Sequence, residues 1–303
     1  MPSMPTNKNM KIMSKFKMNI GPIIKLGLKI NGAFFTIFTF ILSFLSFDDL
    51  GIKDVWVKAI LLLTVPVFSF LFSTILILFV FKRNRIWKKG KNTVTACYGD
   101  LLKYAFDNRF TESRIIVIPV NDTFDTIVEE PGENVKNPLI SPKTLHGMWV
   151  RKYCSYFRID PSLLNKRIQN SLKKHDFVGA NIKRDRGNGI RYSLGDVAIL
   201  DGPNQSIFYL LAISSFDEKN NARIGKKELR NCIENLLEFY DQTGQSIPIY
   251  IPLMGTGSSR AGLSHEDSLK IIKSCVLTSE EKINGSVNIV VYNGDKNKVS
   301  IFK

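Results

Sequence analysis

The sequence has few of the residues that mark a disulfide-linked, zinc-binding or hydrolytic protein. It contains 4 cysteines and 3 histidines in 303 residues. No two cysteines have C-x-x-C spacing, and no cysteine and histidine group has the spacing of a zinc site. The dispersed histidines do not suggest a Ser/His/Asp set. The sequence therefore predicts reduced thiols in a reducing compartment, no metal and no catalytic residue.

Several motifs of nucleotide-binding and hydrolytic proteins are also missing. The order Gly-x-x-x-x-Gly-Lys-Ser/Thr does not occur, which excludes a P-loop NTPase, and there is no Gly-x-Ser-x-Gly nucleophile elbow. Glycines 255, 257 and 262 lack the Gly-x-Gly-x-x-Gly spacing of a dinucleotide fold. No repeat with a period of 20–50 residues and no low-complexity tract is present.

Acidic residues are scarce in the first 91 residues. This segment holds 14 of the 42 Lys and Arg residues but only 3 of the 27 Asp and Glu residues, which leaves 28 basic and 24 acidic residues in the rest. Most of the net charge of +15 therefore lies beside two apolar segments. This distribution favours membrane topology or lipid adhesion, and we expect no nucleic-acid partner.

Those two segments are almost free of charge. Leu26 to Phe47 contains one lysine, and Ala59 to Phe81 contains no charged residue. About 20 apolar residues cross a bilayer as a helix, and Pro66 is tolerated in such a helix. We predict a two-span transmembrane hairpin over residues 26–81. The alternatives are a pair of buried soluble helices and a signal peptide, although the first run lacks a small-x-small cleavage site.

Charge around the spans predicts their orientation. Lysines and arginines lie before the first span and after the second, whereas the connector FDDLGIKDVWVK is short and slightly acidic. Positive flanks stay inside, so both termini are expected in the cytoplasm. Residues 1–25 are predicted to be a basic, partly disordered lead, residues 82–91 a basic linker, and residues 92–303 a cytosolic domain.

In that domain, predicted strands alternate with predicted helices. The strands are expected at 93–98, 115–120, 196–200, 207–213, 247–253 and 287–292, and the helices at 101–107, 141–156, 161–174, 226–241 and after Ser264. Such alternation predicts an α/β sandwich with a mostly parallel central sheet. Ligands of these sheets bind beyond the carboxyl ends of the strands, where Asn121, a glycine-rich turn and Asn293 fall.

The glycine-rich turn lies in the most informative stretch, Ser246 to Ser274. An isoleucine-rich strand leads into Gly255-Thr256-Gly257-Ser258-Ser259-Arg260-Ala261-Gly262, and Ser264 with Asp267 forms a capping-box-like helix start. Glycines let the backbone approach a phosphate, and loop N–H groups and the helix dipole favour its charge. We predict that the turn holds a nucleotide diphosphate; the alternative is a strand-to-helix turn that needs glycine for positive φ.

The order of segments in residues 92–303 resembles that of a known family. YGDLL, IIVIPVN, GDVAILDGPNQSIFYLLAI, IPIYIPLMGTGSSRAG and VNIVVYN follow one another. This order looks like the macro domain, which binds ADP-ribose and its derivatives. NDTFDTIV and SPKTLHGMW behind a membrane hairpin are similar, more narrowly, to the membrane-anchored macro effectors of Thoeris anti-phage defence systems. The resemblance implies a three-layer α/β/α sandwich with a mostly parallel mixed sheet, preceded by a two-helix transmembrane hairpin in the bacterial inner membrane.

The resemblance also implies roles for particular residues. Asp100 would accept a hydrogen bond from the adenine amino group, and Asn121 would contact the distal ribose. Tyr292 or Asn293 would stack on or flank the adenine. The remaining implied ligand contacts are Gly255, Thr256, Gly257, Ser258 and Ser259 around the diphosphate, Arg260 as a charge partner, and His146 and Gly147 over the distal end.

Four of these residues also have a structural explanation. Asp100 would serve equally as a turn or cap carboxylate, and Asn121 as a turn residue at a strand end. Arg260 would be a solvated loop residue. Tyr292 would pack in the core.

The sequence departs from the pattern of hydrolytic macro domains in one loop. Hydrolytic macro domains carry a Gly-Gly-Gly-Val loop after the asparagine strand, but here that place holds DTFDTIVEEPGENVKNPLISPKTLHG, which favours binding over hydrolysis. The implied protein is a homo-oligomeric effector without a cofactor. It would bind an ADP-ribose-type signal that a TIR-domain partner makes from NAD, and would then disrupt the lipid bilayer. The alternatives are a membrane-tethered ADP-ribosyl hydrolase, and a lipid- or nucleic-acid-binding protein that uses the basic flank.

Overall fold

The computed structural model describes residues 7–132, 138–216, 222–257, 262–279 and 283–303. The chain divides into two compact units. One holds the residues up to Asn84 together with Lys296–Lys303, and the other is Arg85–Asp295.

The first unit is built on two antiparallel helices. Helix α1 is Asn7–Leu42, and helix α2 is Val55–Ile75, continued by a π-helical turn at Leu76–Val80. Helix α2 begins at its N-cap Asp54, whose carboxylate accepts hydrogen bonds from two backbone N–H groups of the first turn. The antiparallel pairing brings Phe34 of α1 against Phe68 of α2, with ring centroids 6.1 Å apart.

Small residues let the two helices approach each other. A Cβ at Gly27 would stand 3.2 Å from the Ser73 Oγ, and that hydroxyl donates a hydrogen bond of 3.0 Å to the carbonyl of Ile23. The outer surface remains apolar and exposed, since only 11% and 17% of the most apolar windows are buried. A core helix of a soluble protein would be mostly buried. Both helices are long and apolar enough to cross a membrane.

The helices start and end at different residues from those predicted. Residues 7–25, expected to belong to a partly disordered lead, form the first half of α1. The first apolar segment leaves the helix at Leu42 rather than Phe47, and α2 starts at Val55, before Ala59. The Asp54 cap, which sequence reasoning did not use, explains the earlier start of α2.

The second unit contains a large mixed sheet. Its strands are β1 (Arg83–Lys89), β2 (Asn92–Gly99), β3 (Arg114–Asn121), β6 (Val197–Asp201), β7 (Ser206–Phe216), β8 (Ala222–Arg223), β9 (Ile249–Pro252) and β10 (Ser286–Tyr292); β4 (Ala180–Asn181) and β5 (Ile190–Arg191) form a separate hairpin. The strand order is β1-β2-β10-β9-β3-β7-β6, with β8 paired to β7. Strands β2, β10, β9, β3 and β7 are parallel neighbours, whereas β6 is antiparallel to β7.

Five helices pack against this sheet. They are α3 (Leu101–Phe106), α4 (Leu145–Phe157), α5 (Pro161–Lys174), α6 (Lys226–Thr243) and α7 (His265–Thr278). One face of the sheet packs into a single core with α3, α4 and α5, through side chains such as Ile116, Phe208 and Trp149. The opposite face meets α6, where Tyr209 lies edge-on to Phe239 with ring centroids 5.5 Å apart. The predicted mixed α/β sandwich is confirmed.

Two predictions in this unit were wrong. Residues 82–91 were expected to be a linker, but Arg83–Lys89 form β1, which lies at the edge of the sheet beside β2. Ser141-Pro142 was expected to start a helix, but α4 begins at Leu145. Thr144 is its N-cap because the Thr144 Oγ1 accepts a hydrogen bond of 3.1 Å from the N–H of Gly147.

Candidate functional site

Parallel pairing brings the predicted site residues to one edge of the sheet. Gly99 at the end of β2 pairs with Tyr292 at the end of β10, and Val290 pairs with Pro252 at the end of β9. The carboxyl end of β3, at Asn121, points to the same edge because β3 and β9 are parallel. Neighbouring strands are about 4.8 Å apart, so β2 and β3 lie about 14 Å apart across three strand spacings. A molecule with the length of a dinucleotide spans such a distance.

Asp100 lies directly after β2 and caps helix α3. Its Oδ1 accepts hydrogen bonds from the N–H groups of Leu102 and Lys103, at 3.0 and 3.4 Å. The backbone before it passes close to an aromatic ring, since a Cβ at Gly99 would stand 2.7 Å from the ring of Tyr104. The cap is the structural role that the sequence left open. The cap uses Oδ1, so Oδ2 is the oxygen that can accept a hydrogen bond from a ligand.

Tyr292 and Asn293 end strand β10 at the same edge. The side chain of Tyr292 is 59% exposed, so its ring does not pack in the core. Asn293 is exposed as well and begins a short 3₁₀ turn, Asn293–Asp295. An exposed aromatic ring at the end of a parallel strand offers a flat surface on which a base can stack.

The glycine turn follows β9. Gly255 has φ +77°, which favours glycine, and a Cβ at Gly257 would have no heavy atom within 4 Å. The strand end is anchored to α7, because the buried Ser268 hydroxyl accepts a bond of 3.0 Å from the Met254 N–H and donates one of 2.7 Å to the Met254 carbonyl. The predicted contacts Ser258, Ser259 and Arg260 lie outside the described residues.

The start of α7 agrees with its predicted cap. Ser264 is the N-cap, and its hydroxyl accepts a hydrogen bond of 3.1 Å from the Asp267 N–H. Glu266 and Asp267 lie in the first turn. Because two carboxylates there offset the positive end of the helix dipole, the dipole attracts a phosphate less than the sequence suggested. Backbone N–H groups of the glycine turn are therefore the main candidates for holding an anion.

Asn121, at the end of β3, belongs to a tight and buried turn. Its Nδ2 donates to the Oδ2 of Asp125 at 2.7 Å, and its Oδ1 accepts from the Asp125 N–H at 3.0 Å. Thr123 donates to the same carboxylate oxygen at 2.8 Å, and Phe124 closes the turn with φ +49°. Asn121, Thr123 and Asp125 are at most 4% exposed. Each amide atom of Asn121 keeps one further hydrogen-bonding position.

The segment 184–188 wraps around the same carboxylate. Arg184 pairs with Asp125, with Nη1 and Oδ2 3.1 Å apart, and the Asn188 N–H donates to the other oxygen at 2.7 Å. Gly187, with φ +84°, passes so close that a Cβ would stand 2.6 Å from the Asp125 Oδ1. Sequence analysis did not single out this segment and missed the contact. The arginines of KRDRGNGIR and the aspartates of NDTFD were the available signal, since a buried carboxylate needs a partner.

Asp122 forms a second ion pair beside the first, in which the carboxylate is buried and the arginine side chain is 40% exposed. Its Oδ2 lies 3.1 Å from the Nε of Arg191, and Asp122 is 2% exposed. Burial raises the pKa of Asp122 to about 6, while the charges of Arg191 and Arg184 act in the opposite direction. Sequence analysis did not single out this residue either.

His146 and Gly147 lie in the first turn of α4, close to Asp125. Burial lowers the pKa of His146 to about 4, although the charge of Asp125 works against this decrease. The imidazole is therefore neutral near pH 7. Gly147 has no room for a side chain, because a Cβ would stand 2.2 Å from the carbonyl oxygen of Ser141. The structure thus brings His146 and Asn121 together at Asp125.

A cavity of about 410 Å³ adjoins this buried cluster. It opens between the loop after β3, the start of α5 and segment 184–188. Of the predicted ligand residues that the structure describes, none lines it. Its lining residues are Asp125, Thr126, Ile127, Asp160, Pro161, Ser162, Asn165, Gly187 and Asn188.

The strand order, the parallel pairing and the shared edge at the ends of β2, β10, β9 and β3 agree with a protein of the macro-domain class. The family profile described as "Thoeris protein ThsA, Macro domain" matches residues 94–292, more than half of the chain. The chain belongs to this family of Thoeris ThsA macro domains.

The chain is also similar to individual proteins. The chain is 27% identical over 274 residues to the Thoeris protein ThsA of Bacillus amyloliquefaciens (strain Y2), an alignment that covers 88% of this chain and 84% of that protein. Among solved structures, a substituted form of the Oceanobacillus iheyensis macrodomain with ADPR is similar at a TM-score of 0.46 and 18% identity, covering 73% of this chain and 94% of that one. The same macrodomain with ADP gives a TM-score of 0.46 and 17% identity, covering 73% and 92%.

Proposed function

We propose that this protein is a membrane-anchored anti-phage effector whose macro domain binds an ADP-ribose-type nucleotide signal. The observation that carries the proposal is that the predicted ligand residues lie at one edge of the sheet. Asp100, Tyr292, the glycine turn and Asn121 end four neighbouring parallel strands in a chain of the ThsA macro family. The ADPR bound to a macrodomain of the same fold class suggests the ligand class.

The edge offers a partner for each part of such a ligand. Tyr292 would stack on the adenine, and Asp100 would accept the hydrogen bond from its amino group while Oδ1 continues to cap α3. The turn at Gly255 and Gly257 would approach the diphosphate with backbone N–H groups. Asn121 would use its remaining donor or acceptor on the distal ribose.

The buried cluster favours binding over turnover. The Asp125 carboxylate already accepts hydrogen bonds from Asn121, Thr123 and Asn188 and pairs with Arg184, so it is poorly available as a general base. His146, with a pKa of about 4, has little proton affinity at neutral pH. A hydrolase would convert ADP-ribosylated protein into products, whereas a binder returns intact ligand after long incubation, as mass spectrometry would show.

The first unit supplies the proposed output. Its apolar, outward-facing helices suit lipid, and the basic residues that flank them suit a cytoplasmic location for both termini. A TIR-domain partner would make the signal from NAD. The ligand would shift the effector toward an associated state of the hairpins that perturbs the inner membrane, which requires tighter binding to that state than to the resting one.

The test is a titration of the full chain, in lipid nanodiscs, with ADP-ribose. Asp100→Asn is the informative variant. Asparagine still caps a helix through its amide oxygen, but the nitrogen that replaces Oδ2 cannot accept a hydrogen bond from the adenine amino group. We expect about a tenfold loss of affinity, corresponding to one lost charged hydrogen bond. Asp107→Ala, at the other end of α3, is the matched control. Folded protein that binds neither ADP-ribose nor any of its conjugates would refute the proposal.

A further inference from the structure

The last eight residues of the chain, Lys296–Lys303, pack with the helical pair. The Ser300 hydroxyl donates a hydrogen bond of 2.5 Å to the Oδ1 of Asn19 in α1. Both side chains are at most 2% exposed. Phe302 packs against a small apolar cluster of Ile23, Ile77 and Leu78. The segment is therefore seated on residues 19–23 of α1 and on the π-helical turn that continues α2.

Two further hydrogen bonds fix this segment. The Nδ2 of Asn84, just after α2, donates to the carbonyl of Ile301 at 2.7 Å. The Phe302 N–H donates to the Ser300 hydroxyl at 3.1 Å, so that hydroxyl is both donor and acceptor. A buried polar pair such as Ser300 and Asn19 is costly to separate without water, which makes the seat specific.

The same segment leaves the macro domain at the proposed ligand edge. It follows Tyr292 through the 3₁₀ turn Asn293–Asp295. The Oδ1 of Asp295 lies 3.4 Å from the Nε2 of His265, the first residue of α7. Asp295 therefore ties the end of β10 to the helix that follows the glycine turn.

We infer that residues 295–302 form a strap that couples nucleotide binding at the sheet edge to the packing of the two N-terminal helices. This inference rests on the proposed function. Asp295 and Ser300 are five residues apart, and an extended chain of that length reaches about 17 Å at most. A ligand that reorders the glycine turn or Tyr292 shifts the contact between His265 and Asp295, and the strap passes this shift to Ser300 and Phe302.

Coupling of this kind is reciprocal, so fixing the strap must change the affinity of the nucleotide site. The experiment introduces Asn19→Cys and Ser300→Cys into the full chain, with Cys154→Ser because the three other native cysteines are buried. The protein in nanodiscs is oxidised to lock the strap, with the crosslink verified by mass spectrometry. It is then titrated with ADP-ribose before and after reduction.

We expect the locked and reduced forms to differ in ADP-ribose affinity by at least fivefold, and the change to be reversed by each cycle of oxidation and reduction. Equal affinities would overturn the strap. Absence of binding in both forms and in the wild type would instead refute the proposed function, and the strap with it.

A second test uses the same cysteine pair but measures a rate instead of an affinity. If the strap couples the two sites, ADP-ribose must also change the rate at which this pair oxidises. We expect His265→Ala to leave the protein folded and to abolish the effect of ADP-ribose on the rate at which the cysteine pair at positions 19 and 300 oxidises. Lys270→Ala, an exposed change on the same helix, is the control and should preserve that effect. An unchanged ligand effect in His265→Ala would exclude the route through Asp295.

Discussion

The two ends of the proposed cleft are built in opposite ways. At the end formed by β2, β10 and β9, Tyr292 is 59% exposed, and there is open space where a Cβ of Gly257 would stand. At the end formed by β3, the side chains of Asn121 and Asp125 are buried and hydrogen-bonded to each other, and Arg184 closes over them.

This contrast separates what stabilises the domain from what recognises the ligand. Groups that are buried and bonded before the ligand arrives are ordered during folding, so they are fixed without a further entropy cost on binding. Exposed groups must be ordered when the ligand binds. Changes at the β3 end should therefore act mainly on the free energy of unfolding, and changes at the open end mainly on affinity.

The largest expected effect is that of Asp125→Ala. It would leave Arg184 buried without its carboxylate and remove the acceptor of Asn121, Thr123 and Asn188. Removing one partner of a buried ion pair costs about 3–5 kcal/mol. Thermal unfolding of the full chain should show a correspondingly large decrease in Tm.

The control for this change is Asp107→Ala. Asp107 also pairs with an arginine, Arg109, but on the surface, where ion pairs contribute little. Its Tm should match that of the wild type. If both variants lost stability equally, the β3 end would not be the preorganised part of the site.

Asp122→Asn tests the same end through pH. Burial raises the pKa of Asp122 from 3.8 to about 6, so its stabilising contribution is complete below pH 3.8 and is lost as the pH rises through 6. Asparagine does not titrate, so the variant does not lose stability in this way as the pH rises. The free energy of unfolding of the variant relative to wild type should therefore increase between pH 4 and pH 6. The increase should be about 2 kcal/mol, because the slope approaches 1.4 kcal/mol per pH unit only between the two pKa values.

His146 has the opposite influence in the same range. Its pKa falls from 6.5 to about 4, so its stabilising contribution is present above pH 6.5 and is lost as the pH falls through 4. The two groups largely offset each other in the wild type, and the variant should show a steeper rise in stability with pH. Denaturant unfolding at several pH values measures this, and parallel curves for both proteins would contradict the raised pKa of Asp122.

Much of the macro domain could be predicted from the sequence because its signals are local. The β3 run is buried as its apolar residues predict, and the six apolar residues of α6 that share one face are all buried. Asp160-Pro161 and Ser264 mark helix starts in the structure as they did in the sequence. Hydrophobic periodicity and helix caps are enough to predict a helix or strand where the residues of that segment determine its conformation.

The remaining features depend on partners far away in the chain. Asp125 meets Arg184 across 59 residues, and Ser300 meets Asn19 across 281. No periodic pattern reports such pairs. The edge strand β1 was missed because its charged residues are also typical of a linker. Edge strands carry charged residues because these oppose pairing with another chain. The sequence therefore indicated that the predicted site residues share one edge of the sheet, but not the buried cluster beside Asn121.

The same glycine-to-alanine substitution can be made at both ends of the proposed cleft. A Cβ at Gly147 would stand 2.2 Å from a backbone oxygen, so Gly147→Ala should cost about 1–3 kcal/mol through overpacking. Gly257→Ala has room and should leave Tm unchanged, while its methyl group hinders a diphosphate and weakens ADP-ribose binding. Calorimetry and ligand titration on both variants separate the effects. A stability loss at Gly257 equal to that at Gly147 would count against the division between the two ends.

The smallest expected effect is that of Tyr292→Ala, compared with Tyr292→Phe. A stacked base contributes about 1–3 kcal/mol, and the lower value fits a ring that is already 59% exposed and stacks on one side only. The alanine variant should therefore lose about fivefold in affinity for ADP-ribose with no change in Tm, because an exposed ring stabilises the fold little. Phenylalanine keeps the ring and should retain wild-type affinity. Equal losses in both variants would assign the contribution of Tyr292 to its hydroxyl group and would move the adenine away from the end of β10.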